Sequence, residues 1–143
     1  MKEICPKSIA KIGGPLVVSV AAVWLLLAFR GDLDSGHFEI LQTEKLSEGE
    51  IAMLAERSDT TALSGNTYFV VVGSHLYSAP ELRAALYRSG AVFVVGRPGI
   101  TLHRNSSKGL EIRCVSCAIT RDMIQTQEWS HNGISITYSD FPQ

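Results

Sequence analysis

The longest uninterrupted run of apolar positions predicts a helix that spans a membrane. It extends over residues 12–29, IGGPLVVSVAAVWLLLAF, and contains no charged side chain. A helix of that length covers roughly 27 Å, which matches the hydrocarbon thickness of a bilayer. We expect Leu16, Val20, Trp24 and Leu27 to contact membrane lipid as anchor positions.

The flanks of this run favour a retained signal-anchor over a cleaved signal peptide, which is the alternative. A cleaved signal ends at a small-x-small site, whereas a cut after Ala28 would put Leu26 where a small residue is needed. Lys2, Lys7 and Lys11 precede the run. These basic residues suit either type of signal.

The distribution of basic residues around the span predicts its orientation. The three N-terminal lysines outweigh Arg30 and Lys45 on the other side, and the more basic flank stays in the cytoplasm. We therefore expect a single-pass protein of the cell (inner) membrane with its C-terminal domain outside the cytoplasm; the reverse topology is the alternative. The predicted organisation is a short cytoplasmic N-terminus, a transmembrane helix, a linker and one domain, at residues 1–11, 12–29, 30–36 and 37–143.

The first part of the domain carries one strand pattern and one helix pattern. Residues 37–42, HFEILQ, place Phe38 and Ile40 on one face and predict a strand. Ser47 and Glu50 have the spacing of a capping box, and apolar residues follow at helical spacing. The pattern predicts a helix over residues 48–58.

The central part predicts a βαβ unit. Residues 67–73, TYFVVVG, and 91–96, AVFVVG, are nearly unbroken apolar runs of the kind found in buried strands. Between them, Ser78 and Glu81 form a second capping box, and Gly90 is a typical helix stop. Two such strands around one helix favour parallel pairing with a right-handed crossover.

The last part of the domain predicts β-hairpins. Residues 100–104 and 110–115 alternate around the loop of residues 105–109, and a His-Asn-Gly turn precedes a strand at residues 134–138. Residues 118–129 fit either a short helix or a strand. The predicted fold class is α/β with a mixed sheet (α+β): two helices, a βαβ unit and C-terminal hairpins.

The charge balance argues against nucleic acid as a partner. Residues 37–143 contain nine Lys and Arg against eleven Asp and Glu, a formal charge of −2. A protein that binds nucleic acid uses a basic surface to neutralise phosphates. No such excess exists here.

The cysteines supply the main chemical hypothesis. Cys114 and Cys117 form a Cys-x-x-Cys pair that, in the chosen topology, lies outside the cytoplasm, where a disulfide persists. A structural disulfide or two packed thiols is our first interpretation, because Cys114 alternates with Leu110 and Ile112 on what should be the core face of a strand. A thiol–disulfide or redox-sensing pair of the thioredoxin type is the alternative.

Metal and hydrolase chemistry have weaker support. The cysteine pair with His103 or His131 would supply zinc ligands, but the chain has no second Cys-x-x-Cys. Ser74, His75 and Asp140 compose a catalytic triad on paper, without the sequence context of a nucleophile elbow. The sequence therefore predicts no catalytic residue, no cofactor and no metal site.

These patterns favour a membrane-anchored domain that acts by protein–protein contact. The span supplies lipid contact through residues 12–29, and the exposed edges of a small sheet offer strand addition as the contact mode. Factors for envelope assembly, immunity or exclusion fit this description. We expect an unidentified membrane or envelope protein as the partner, and a membrane-tethered thiol–disulfide domain is the competing function.

Overall fold

The computed structural model describes residues 22–23, 35–47, 49–59, 65–105, 109–115 and 117–141. Apart from residues 22 and 23, the predicted span lies outside these ranges, and so do the anchor positions Leu16, Val20, Trp24 and Leu27. Within the described ranges, no helix is long and apolar enough to cross a bilayer. Ser35–Gln143 form one compact unit.

This unit is a mostly-β domain with one short helix and two sheets (α+β). Sheet 1 has five antiparallel strands in the order β1-β2-β3-β4-β7. Its strands are β1 (His37–Ser47), β2 (Glu50–Ser58), β3 (Thr67–Gly73), β4 (Ala91–Val95) and β7 (Ile124–Gln127). Helix α1 (Ala79–Tyr87) connects β3 to β4.

Sheet 2 has four strands in the order β5-β6-β9-β8 and is mixed, because β6 and β9 run parallel. Its strands are β5 (Ile100–Arg104), β6 (Leu110–Cys114), β8 (Ser130–His131) and β9 (Ile134–Ser139). A 3-10 turn at Arg121–Met123 precedes β7. The ambiguous residues 118–129 are thus part helical turn and part strand.

Both faces of sheet 1 are buried, one by sheet 2 and one by the helix. Leu54, Val70 and Val95 pack against Leu102 and Ile112 between the sheets. On the opposite face, the helix covers a second cluster with Leu82 and Ala85. This arrangement explains the nearly continuous apolar runs of the central strands, since strands covered on both faces do not alternate.

The predicted helix over residues 48–58 is wrong, because this segment is strand β2. Ser47 does donate its hydroxyl proton to Glu50, at 2.7 Å, but the contact closes the β1–β2 hairpin instead of capping a helix. Gly49, with φ of +90°, forms the turn. The helical periodicity misleads because Met53 and Leu54 are buried on opposite faces of a strand.

The predicted parallel βαβ unit is also wrong. The helix forms as predicted, with Ser78 and Glu81 in a capping box, but β3 and β4 are antiparallel neighbours. Ala91 pairs with Val71, so the chain re-enters the sheet at the end where it left. A continuous apolar run indicates that both faces of a strand are covered. It does not indicate whether the strand pairs parallel or antiparallel with its neighbour.

The remaining strand predictions are confirmed. The segment of residues 37–42 is the first half of β1, the strand patterns before and after the helix are β3 and β4, and β5 pairs antiparallel with β6 as a hairpin. Asn132 and Gly133 form the turn between β8 and β9, both with positive φ.

Two edges of the sandwich meet at β1 and β5. The Gln42 side chain donates to the Leu102 carbonyl oxygen at 2.7 Å and accepts from the Leu102 N–H at 2.9 Å. An irregularity at Leu41 turns Gln42 toward sheet 2. The side-chain amide therefore acts as a substitute ladder partner for the backbone of an edge strand.

Candidate functional site

A groove of about 280 Å³ lies on the helix face of sheet 1, between the C-terminal end of α1 and strand β7. Leu86, Ala91 and Val94 form its apolar part. Its polar residues are Tyr87, Ser89, Thr126 and Glu128. The groove is built here because α1 is one short helix, which covers the middle strands and leaves the β4–β7 side of the sheet open.

An exposed tryptophan follows the groove directly in sequence. Trp129 is 65% exposed, and its ring lies edge-on to Tyr138, with the ring centroids 4.9 Å apart. Tyr138 in turn packs on Phe93 and Phe141, at centroid distances of 5.5 and 5.8 Å. Trp129 is thus the exposed end of an aromatic cluster that reaches into the core.

The phenol of Tyr138 holds this cluster in place. It donates a hydrogen bond of 2.5 Å to the carbonyl oxygen of Glu128. Burial, followed by the charge of Glu128, raises the pKa of Tyr138 far above its ordinary value. The Tyr138 hydroxyl thus ties the aromatic cluster to the backbone directly before Trp129.

Glu128 is the charged group of the groove. Its carboxylate accepts a hydrogen bond from Nδ1 of His131 at 3.0 Å, and its side chain is 38% exposed. The backbone N–H of Glu128 donates to the Val92 carbonyl oxygen at 2.9 Å, which extends the β4–β7 ladder by one residue. The carboxylate is thus placed at the rim of the groove by the sheet itself.

The structure brings Cys114 and Cys117 together. Their Cα atoms lie 5.5 Å apart and their sulfur atoms are in contact, which is a disulfide arrangement. Cys114 is 6% exposed and belongs to the core face of β6, as its alternation predicts. Gly99 packs against this turn, and its carbonyl oxygen accepts from the Val115 N–H at 2.7 Å.

The catalytic triad considered from the sequence, Ser74, His75 and Asp140, does not assemble. A carboxylate oxygen of Asp140 lies 3.8 Å from Nε of Arg113. His75 instead contacts Glu81 through Nε2 at 2.8 Å and lies 3.5 Å from the Ser74 hydroxyl.

Glu81 belongs to the start of the helix. The hydroxyl and N–H groups of Ser78, followed by His75, lower the pKa of Glu81 to about 2. All these groups are exposed to solvent. The arrangement is a surface capping network around the beginning of α1.

The histidines considered as zinc ligands have other partners. His103 contacts the Thr101 hydroxyl through Nε2 at 3.1 Å, and His131 contacts Glu128. Across the described ranges, no group of three or more His, Cys, Asp and Glu side chains is placed to hold a metal ion.

Sequence reasoning missed the groove and Trp129. Trp129 stands at the end of the ambiguous segment, among Glu128, Ser130 and His131. A large aromatic in a polar stretch before a turn is a signal for an exposed contact residue. Tyr87 and Thr126 carry no such signal, because their proximity depends on the pairing of β7 with β4.

The comparisons with known proteins assign no family. No protein-family model, curated protein or solved structure gives a significant match to this chain.

Proposed function

We propose that this chain is a single-pass membrane protein whose domain of residues 37–143 lies outside the cytoplasm and works by protein–protein contact. The apolar run of residues 12–29 and its basic N-terminal flank support the anchor and its orientation. Lipid contact through residues 12–29 and contact with another membrane or envelope protein are the two interactions in this proposal. Factors for envelope assembly, immunity or exclusion work in this way.

The observation that carries the contact function is the exposure of Trp129 on its aromatic support. Tryptophan is enriched among the residues that dominate binding energy at protein interfaces. Here the ring is held by Tyr138 and follows Glu128, which lines the groove. A solvent-facing tryptophan with no packing role would have no comparable support.

Glu128 and Trp129 lie at the end of sheet 1 opposite to His37, the first residue of β1. In sheet 1, His37 pairs with Ser58, whereas Glu128 bonds to Val92 at the opposite end of the sheet. The short linker, residues 30–36, is compatible with a partner in the same envelope.

The test compares the size of the complex formed by the full chain and by two surface variants, after mild detergent extraction from the native membrane. The wild-type chain should elute with a mass well above that of a detergent micelle that holds one copy of the chain. Trp129→Asp should elute at the mass of the chain alone, because a hot-spot residue costs about 2 kcal/mol or more when it is removed.

The control is Val115→Asp, which makes the same change in charge at a residue that is 49% exposed. Val115 follows the far end of β6, whereas Trp129 bonds to Ile136 beside the start of β6. This control should leave the complex intact. Equal behaviour of the two variants would refute the assignment of this surface.

A thiol–disulfide function is the second candidate, and the contact between the Cys114 and Cys117 sulfur atoms favours it. A catalytic pair needs an exposed thiol of low pKa, whereas Cys114 is buried. We therefore propose a structural disulfide. Rapid alkylation of Cys114 in the folded, reduced chain would instead support redox catalysis.

A further inference from the structure

Strand β7 is an edge of sheet 1 that could pair with a further strand. It ends the strand order of the sheet, and no strand within the described ranges pairs with its outer side. Its sequence, IQTQ, contains no charged residue and no proline. Natural sheets protect exposed edges with charges, prolines, bulges, short strands or covering elements. Strand β7 is short and has an irregularity at Gln125, but it carries no charge and no proline.

The opposite edge strand of sheet 1 shows the contrast. β1 carries Glu39, Glu44 and Lys45, has an irregularity at Leu41 and is linked to sheet 2 through Gln42. These are the features that keep an edge from pairing with another chain. The two edges therefore differ in charge and in the link to sheet 2, whereas both contain an irregularity.

The backbone of β7 presents hydrogen-bonding groups to the outside. Glu128 N–H bonds inward to Val92, and inward and outward groups alternate along an antiparallel strand. The N–H and carbonyl groups of Gln127 therefore point away from the sheet. An irregularity at Gln125 leaves residues 126–128 as the regular part of this edge.

The groove borders β7 on the helix face of sheet 1, next to the position that an added strand would occupy. Thr126 and Glu128 both line it, because alternate residues of a strand share a face. The alternate side chains of a neighbouring strand would face the same side. They would lie beside Thr126 and Glu128, at the outer rim of the groove.

The charge and polarity of the groove residues indicate which side chains of an added strand would fit beside them. Among the described residues lining the groove, Glu128 is the charged one, and its side chain is partly exposed. The carboxylate already contacts Nδ1 of His131 at 3.0 Å. A basic side chain on its exposed part adds a second favourable contact, whereas an acidic one meets like charge. An apolar side chain suits Leu86, Ala91 and Val94.

We infer that β7 binds an extended peptide segment of a partner protein as a sixth strand, with an apolar side chain in the groove and a Lys or Arg side chain beside Glu128. This inference rests on the proposed function and names its contact mode. Backbone hydrogen bonds to Gln127 supply affinity, and the two side-chain positions supply specificity, as in other cases of strand addition.

The test uses the full chain in detergent and a defined fluorescent octapeptide, acetyl-Thr-Lys-Thr-Leu-Thr-Lys-Thr-Leu-amide. Fluorescence anisotropy should show saturable binding, and hydrogen exchange of residues 124–128 should slow in its presence. Two further versions carry N-methyl groups on one or the other set of alternate amides. One version should lose binding and the other should keep it, because only one edge of the peptide faces β7.

Two pairs of variants test the residues. Gln127→Pro removes the outward N–H and should abolish binding, whereas Gln127→Ala keeps this group and should bind normally. Glu128→Lys should weaken binding of the basic peptide about ten-fold and favour a version with Glu in place of Lys. Glu44→Lys, the same charge change on β1, should have no effect.

Three results would overturn the inference. These are no binding of the octapeptide, equal loss with both N-methylated versions, or concentration-dependent protection of residues 124–128 without peptide, which would show a second copy of the chain at this edge. If the octapeptide fails while Trp129→Asp still releases the native complex, the strand-addition mode is wrong and the proposed function stands.

Discussion

At the scale of single residues, side-chain chemistry was readable from the sequence where its partners are close in the chain. Ser78 and Glu81 form the capping box that their spacing predicts. The same spacing at Ser47 and Glu50 produces the same contact between side chains on a hairpin. A local motif thus identifies the contact, and the flanking strands decide which element it belongs to.

The Glu81 carboxylate predicts an acid dependence of stability. Its pKa in the folded chain is about 2, below the ordinary 4.5, because Ser78 and His75 hold the charged form. A depressed pKa contributes stability above the unfolded value and loses it as pH falls. The contribution should be complete above pH 4.5 and should disappear as pH falls to about 2.

The measurement is the free energy of unfolding of the full chain in detergent between pH 5 and about 2. Glu81→Gln should flatten the acid dependence, whereas Glu39→Gln, on the exposed face of β1, should leave it unchanged. An identical acid dependence in the Glu81→Gln variant would show that the capping network has no energetic role.

At the scale of elements, Gln42 decides how β1 meets β5. Replacing it by Ala removes two hydrogen bonds and leaves the backbone of the fully buried Leu102 unsatisfied. The expected loss is ~2 kcal/mol, because unpaired buried polar groups pay their full desolvation cost. Chemical denaturation should show it, with Thr43→Ala on the exposed face as the control.

Preserved stability in the Gln42→Ala variant would mean that the β1–β5 contact is dispensable. Sequence reasoning had no access to this contact, since residues 42 and 102 are sixty positions apart. It also missed the irregularity in β4, where Val92 and Phe93 both face sheet 2 opposite Val70. Most strands followed from local pattern, but β2 was predicted as a helix and β7 was ambiguous. Strand direction and register depend on partners elsewhere in the chain.

At the scale of the whole molecule, the cysteine pair links the fold to the topology. A disulfide between Cys114 and Cys117 closes a very short loop and therefore restricts the denatured chain only a little. Its loss should lower the free energy of unfolding by only roughly 2 kcal/mol. The double variant with Ser at both positions should unfold at lower denaturant and remain folded in its absence. An unchanged midpoint would indicate that the thiols are reduced in the native chain.

Mass-tagging of thiols in intact cells tests the orientation that the lysine count predicts. Cys5 should react with the tag after lysis without reductant, whereas Cys114 and Cys117 should react only after reduction. Free reaction of all three cysteines once the membrane is opened would contradict a domain outside the cytoplasm.

In the proposed function, the surface around Trp129 contacts another protein. The most direct measurement places a photo-crosslinking amino acid at position 129 of the full chain in living cells, and at position 115 as the control. Position 129 should give one discrete adduct after irradiation, and position 115 should give none. No adduct at position 129, or the same adducts at both positions, would show that Trp129 is not at a protein–protein interface.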